Sequence, residues 1–253
     1  PGYYADLYGI FDGNDATQTR LLAVASAKLK PVLDRIGYDA RTGEGPQVPL
    51  LRQSLIQTLG SMGEPVLLAE ARRRYAALAT DASALDGPLK FTWLGIVAKY
   101  ADHSTWNDLR QRANAATTSL DKQQLFALLG RSVDAALAQQ ALDLALTDEP
   151  GKTTSAAIVG TVAGNHDRLA VDFVLANREQ YESLIDVSAR SGALADLGGG
   201  SADPAMADTL DAYADQYLTA DSRPTTDRAI AAIRERAASR ARLRPEIEAW
   251  LAR

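Results

Sequence analysis

Residues 86–146 read DGPLKFTWLGIVAKYADHSTWNDLRQRANAATTSLDKQQLFALLGRSVDAALAQQALDLAL, and this stretch decides the fold class. Its apolar residues recur at helical spacing in four short segments, and Gly, Asp, Ser or Thr follows each segment within a few residues. These apolar positions are Leu89, Trp93, Ile96, Val97 and Tyr100; Trp106, Leu109 and Ala113; Leu125, Leu128 and Leu129; and Leu137, Ala141 and Leu144. A short amphipathic helix buries its apolar face only against a neighbour, so the pattern predicts helices stacked in a row.

The same spacing continues on both sides of this stretch, giving about a dozen helical segments in all. No segment alternates apolar and polar residues over enough positions to predict a strand. Alanine is frequent at the inward-facing positions, which suits closely packed antiparallel helices. We therefore predict an all-α chain, built as a right-handed α-α superhelix of antiparallel helix pairs of the HEAT or armadillo type. Residues 1–253 are predicted to form a single helical-repeat domain.

Local signals predict where several helices begin or bend. Asp15 is predicted to cap a long helix, and Glu64 and Asp203, each followed by proline, are expected at the starts of two others. Asn177 is expected to mark a bend between two helical segments.

Prolines and glycines predict breaks in the helical pattern. Pro31 should kink or split the first long helix, and Pro245 should start the last helix, because proline lacks the N–H that a helix interior needs. Residues 38–47 and 191–203 are predicted to be long loops, the second made flexible by its run of three glycines from Gly198.

The composition limits the class of partner. The chain has 27 Lys and Arg against 32 Asp and Glu, a net charge of −5, which argues against nucleic acid or an anionic membrane as its main partner. Cysteine is absent, so disulfides and thiolate metal sites are excluded, while both a cytoplasmic and an exported location stay open. There is no run of 18 apolar residues and no recognisable signal peptide. The chain opens on Pro1 rather than Met, and we expect it to be a piece of a longer protein.

Two short motifs resemble catalytic signatures but lack their context. Gly151-Lys152-Thr153 resembles the end of a phosphate-binding loop, yet Leu146 stands where the first glycine belongs and no strand precedes it, so a polar turn entering a helix is the better interpretation. The sequence GNHD at 164–167 resembles one block of a binuclear metallophosphatase. Such a site needs several more histidines and aspartates, and we interpret GNHD as a turn in which Asn165 or Asp167 caps the next helix.

The remaining candidates for chemistry have simpler explanations. The only histidines are His103, expected at a helix junction, and His166. Gly60-Ser61-Met62-Gly63 lacks the spacing of a nucleophile elbow. The run Arg72 to Arg74 follows Glu70 on a predicted helix, which favours a solvated face with local ion pairs over an anion site. We therefore assign no catalytic, cofactor-binding or metal-binding residue to this chain.

An ordered set of short blocks nevertheless resembles a known family. The blocks are Gly37; Thr42-Gly43-Glu44-Gly45; Leu51-Arg52; Leu59-Gly60; Gly63-Glu64-Pro65; Ala69-Glu70-Ala71-Arg72-Arg73-Arg74-Tyr75; Leu128-Leu129-Gly130; the Leu142 to Leu146 segment; Phe173 with Asn177; Ile230 and Ile233; and Trp250-Leu251. Together they resemble the C-terminal helical domain of the zinc aminopeptidases related to puromycin-sensitive, alanyl and endoplasmic-reticulum aminopeptidases.

The resemblance implies a role within a larger enzyme that releases amino acids from the N-termini of peptides. In that family an HExxH helix and a downstream Glu hold zinc, and a GAMEN-like block binds the substrate amine; none of these elements occurs in this sequence. The resemblance therefore implies a non-catalytic domain that caps the active-site chamber and helps to select peptides. Its partners would be an upstream catalytic domain, which would hold the zinc, and peptide substrates. The net charge suggests, as a hypothesis, a preference for peptides that carry Lys or Arg.

A second hypothesis stays open on the sequence. A free-standing helical-repeat adaptor of the HEAT or armadillo type would show the same helical spacing and would bind a protein partner. An enzyme in its own right is disfavoured, because no cluster of convergent polar residues is recognisable.

Overall fold

The computed structural model describes residues 1–252 and confirms the predicted all-α class. Within those residues there are fourteen α-helices, two short 3₁₀ turns at Leu129–Arg131 and Val187–Ala189, and no strand. The helices are α1 Gly2–Ile10, α2 Asp15–Ile36, α3 Val48–Ser61, α4 Pro65–Ala77, α5 Lys90–Lys99, α6 His103–Ala115, α7 Ser119–Leu128, α8 Ala135–Ala145, α9 Lys152–Ala163, α10 Asp167–Ala176, α11 Arg178–Leu184, α12 Ala193–Gly198, α13 Pro204–Tyr217 and α14 Pro224–Leu251.

The described helices group into two compact units. The first unit comprises Pro1–Val97 together with the chain from Arg242 onwards, and the second comprises Ala98–Ala241. The prediction of one domain over residues 1–253 stays a prediction.

The first unit is built from α1 to α4, most of α5 and the end of α14. Helix α2 packs on α1 and α3, and α3 packs on α4. Leu7, Phe11 and Leu21 form a buried apolar cluster, against which Ile247 and Leu251 of α14 pack. The last turns of the described chain therefore cover its first two helices.

The second unit is arranged around α9. This helix contacts α7, α8, α10, α11 and α12, and its Ile158, Val159 and Val162 are fully buried. The sequence explains this central position, because Lys152 is the only charged residue of α9. A buried Trp106 fixes α6 in the same unit by donating its indole N–H to the Leu129 carbonyl at 3.0 Å.

Two of the three predicted helix starts are confirmed by their capping hydrogen bonds. The Glu64 side chain accepts a hydrogen bond from Leu67 N–H at 2.8 Å, and Asp203 accepts one from Ala205 N–H at 2.9 Å. The predicted cap at Asp15 is wrong by one position. Asn14 is the capping residue, because its side chain accepts from Thr17 N–H at 3.2 Å and the helix begins at Asp15.

Three other local predictions need correction. Pro31 does not split α2, so that alternative is wrong, while the predicted kink stays a prediction. Pro245 lies inside α14 rather than at the start of a new helix. The segment 191–203 is not one flexible loop, since it contains α12, whose Leu194, Ala195, Leu197 and Gly198 are buried. In α12 the burial of these residues outweighs the local glycine signal.

Candidate functional site

The two histidines lie at helix starts. His103 is the first residue of α6, next to Asp102, whose side chain caps that helix. His166 precedes α10, and its Nε2 lies 2.9 Å from the Ser132 carbonyl oxygen. Asn165 donates to the Arg131 carbonyl at 2.9 Å and does not cap α10, so this part of the GNHD interpretation is corrected.

Asp167 is not the N-cap of α10 either. It is the first residue of the helix, and its Oδ1 accepts from the neighbouring Arg168 N–H at 2.6 Å. The GNHD segment is nonetheless an interhelical turn, and its side chains tie α10 to the turn after α7.

The other short motifs also take the expected structural positions. Gly151 occupies the N-cap of α9 with φ of 82°, so Lys152 enters a helix from a turn. Arg73 and Arg74 both pair with Glu70 at 2.7 Å, and Arg74 also pairs with Asp39 at 2.9 Å. These arginines satisfy acidic neighbours in the first unit, as the ion-pair interpretation predicts.

Among residues 1–252, there is no group of three or more His, Asp or Glu side chains placed to hold a metal ion. None of the helices in that part of the chain combines the length and apolar character needed to span a membrane.

A small cavity in the second unit is a candidate binding site. It is framed by α10, α11, α12 and α13, which follow one another along the chain. Asn177 separates α10 from α11, and its side chain donates to the Phe173 carbonyl at 2.9 Å, which holds the bend at the cavity wall. We call this cavity the α11 pocket.

The α11 pocket combines an apolar lining with three charged side chains. It is a shallow recess with room for about one water molecule, and it is open to solvent. Its lining consists of Val174, Leu175, Arg178, Tyr181, Glu182, Arg190, Ala193, Leu194 and Tyr213. Two aromatic rings and four aliphatic side chains with a few polar groups are a composition typical of ligand sites.

Two of the three charges neutralise each other. Arg178 donates from its Nη1 to Glu182 Oε1 at 2.7 Å, across one turn of α11. This hydrogen bond raises the pKa of the Arg178 guanidinium above its ordinary value. The same guanidinium stacks over the ring of Tyr217, 4.4 Å from its centroid, and so is held from two sides.

Arg190 is the third charge, and it lacks such partners. Its Nε is buried and makes no hydrogen bond to any residue that the structure describes. Nor does its guanidinium pair with a carboxylate in that part of the chain. Its charge acts on the exposed carboxylate of Asp186, whose pKa is lowered chiefly by two hydrogen bonds from Ser188 and further by Arg190.

The two tyrosines in the lining are largely buried. Burial is the main cause that raises the pKa of Tyr181, followed by the charge of Asp196. Burial likewise raises the pKa of Tyr213, and the charge of Glu182 adds to this. Both phenols therefore stay neutral over the physiological pH range, and they offer an O–H group beside an apolar ring face.

Only part of this pocket is recognisable in the sequence. The i, i+4 spacing of Arg178 and Glu182 is typical of an ion pair on a helix, and Tyr181 and Tyr213 lie at helical spacing from other apolar residues. Arg190 follows a 3₁₀ turn, where no periodic pattern signals that an arginine is enclosed. In the sequence Arg190 is recognisable only as a basic residue between two apolar helical segments.

One comparison with known proteins covers most of the chain. The family model described as the ERAP1-like C-terminal domain matches residues 2–237. The match extends over both compact units and includes the α11 pocket.

Proposed function

Because the chain belongs to the ERAP1-like C-terminal domain family, we propose that it is the non-catalytic helical domain of a zinc-dependent aminopeptidase. The parent enzyme would release amino acids one at a time from the N-termini of peptides. The family match over residues 2–237 is the observation that carries this proposal.

The domain would cap the active-site chamber of the parent and contribute to peptide selection. A non-catalytic role is consistent with the sequence, since this chain has neither an HExxH motif nor a GAMEN-like block. The zinc and its ligands would then belong to an upstream catalytic domain of the same polypeptide. An all-helical scaffold is well suited to forming a wall against which a peptide lies.

The test compares the parent enzyme with and without this domain on two kinds of substrate. Removal of residues 1–253 should change how the rate depends on peptide length, while hydrolysis of a single-residue chromogenic amide persists. Zinc content and circular dichroism of the truncated enzyme serve as controls for its integrity. The purified 253-residue chain should cleave neither substrate, and peptide hydrolysis by this chain alone would overturn the proposal.

The alternative is a free-standing HEAT-like adaptor that binds a protein partner. The reading frame upstream of Pro1 separates the two possibilities. An HExxH motif with a Glu about twenty residues further on supports the aminopeptidase, because this spacing places three zinc ligands on adjacent helices. An open reading frame that starts just before Pro1 supports the adaptor.

A further inference from the structure

We draw no further inference here: the strongest candidate, the acidic surface cluster of Asp211, Asp215 and Asp227 on α13 and the first turn of α14, carries nothing, because Arg223 pairs with all three carboxylates and no second feature of residues 1–252 points to a ligand there.

Discussion

Arg52 shows how one buried charge holds a loop in the first unit. Its side chain is only 2% exposed and donates to the Gly37 carbonyl at 2.9 Å and to the Ile36 carbonyl at 3.1 Å. It also pairs with Glu44 in the loop 38–47. The arginine thus satisfies the carbonyls at the end of α2 and fixes the loop that follows.

We predict that Arg52→Met strongly destabilises the chain. The substitution leaves the carbonyls at the end of α2 and the Glu44 carboxylate without their donor, a loss of about 2–4 kcal/mol in the free energy of unfolding. Urea denaturation followed by circular dichroism measures it. Lys30→Met is the matched control, because Lys30 makes only an exposed ion pair with Asp34 at 3.1 Å, worth about 0.5 kcal/mol or less. Equal stability of the two variants would contradict this role of Arg52.

We predict that the ionisation of Glu149 makes the stability of the chain depend on pH. Hydrogen bonds from Arg110 and then from Asn114 lower its pKa from 4.5 to about 2. Since the pKa is lower in the folded chain, the ionised carboxylate stabilises the fold above pH 4.5, and this contribution is lost as the pH falls towards about 2. NMR titration of the Glu149 side chain should show the low pKa, and Arg110→Met should return it towards 4.5.

The low pKa of Glu149 should also appear as a pH dependence of the free energy of unfolding. The advantage of the unmodified chain over Glu149→Gln should be full at neutral pH and should shrink between pH 4.5 and about 2. A difference between the two proteins that does not change with pH would show that Glu149 keeps its ordinary pKa.

At the scale of the element, a glycine allows the turn after α7 to approach α9 closely. A Cβ at Gly130 would lie 2.7 Å from the Ile158 carbonyl oxygen and 3.1 Å from Thr161 Cβ. Both atoms belong to α9, the central helix of the second unit, and the first is backbone that cannot rotate away. The contact therefore tolerates no side chain without a shift of the helix.

We predict opposite effects for two Gly→Ala substitutions in the second unit, one at this contact and one away from it. Gly130→Ala should lower the free energy of unfolding by about 1–3 kcal/mol through overpacking. Gly160→Ala, on α9 itself, should raise it by about 0.5–1 kcal/mol, because a Cβ there meets nothing within 4 Å and alanine favours the helix. Thermal denaturation of both variants measures the effects. Stabilisation by Gly130→Ala would contradict the close approach.

The elements also show how far the sequence alone predicts this fold. Caps such as Glu64 were predicted correctly, because a cap depends on residues within one turn of each other. Helix α12 was missed, because three successive glycines indicate a flexible loop. Only the packing of Gly198 on Met206, where a Cβ would lie 2.8 Å from the sulfur, shows that a glycine is needed there. For the same reason Arg190 could not be predicted as a pocket residue, since its enclosure depends on α12 and α13.

At the scale of the whole molecule, the two ends of the chain belong to one compact unit. Arg244 donates from its Nε to the Ile10 carbonyl at 3.0 Å, across nearly the full length of the sequence. Its guanidinium also lies over the ring of Phe11, and Ile247 and Leu251 pack on the cluster around that ring. The closing turns of α14 thereby offset the cost of Pro245 inside the helix.

We predict that two neighbouring residues at the end of α14 differ sharply in their effect on the first unit. Leu251→Ala should destabilise it by about 1–2 kcal/mol, because a partly buried side chain leaves the cluster of Leu7, Phe11 and Leu21. Trp250→Ala should change stability by less than about 0.5 kcal/mol, because the indole is 47% exposed. Hydrogen exchange should locate the loss caused by Leu251→Ala in α1 and α2, with α8 and α9 of the second unit unchanged. Equal loss of protection in both variants, or loss in α9, would show that the end of the chain does not stabilise its beginning.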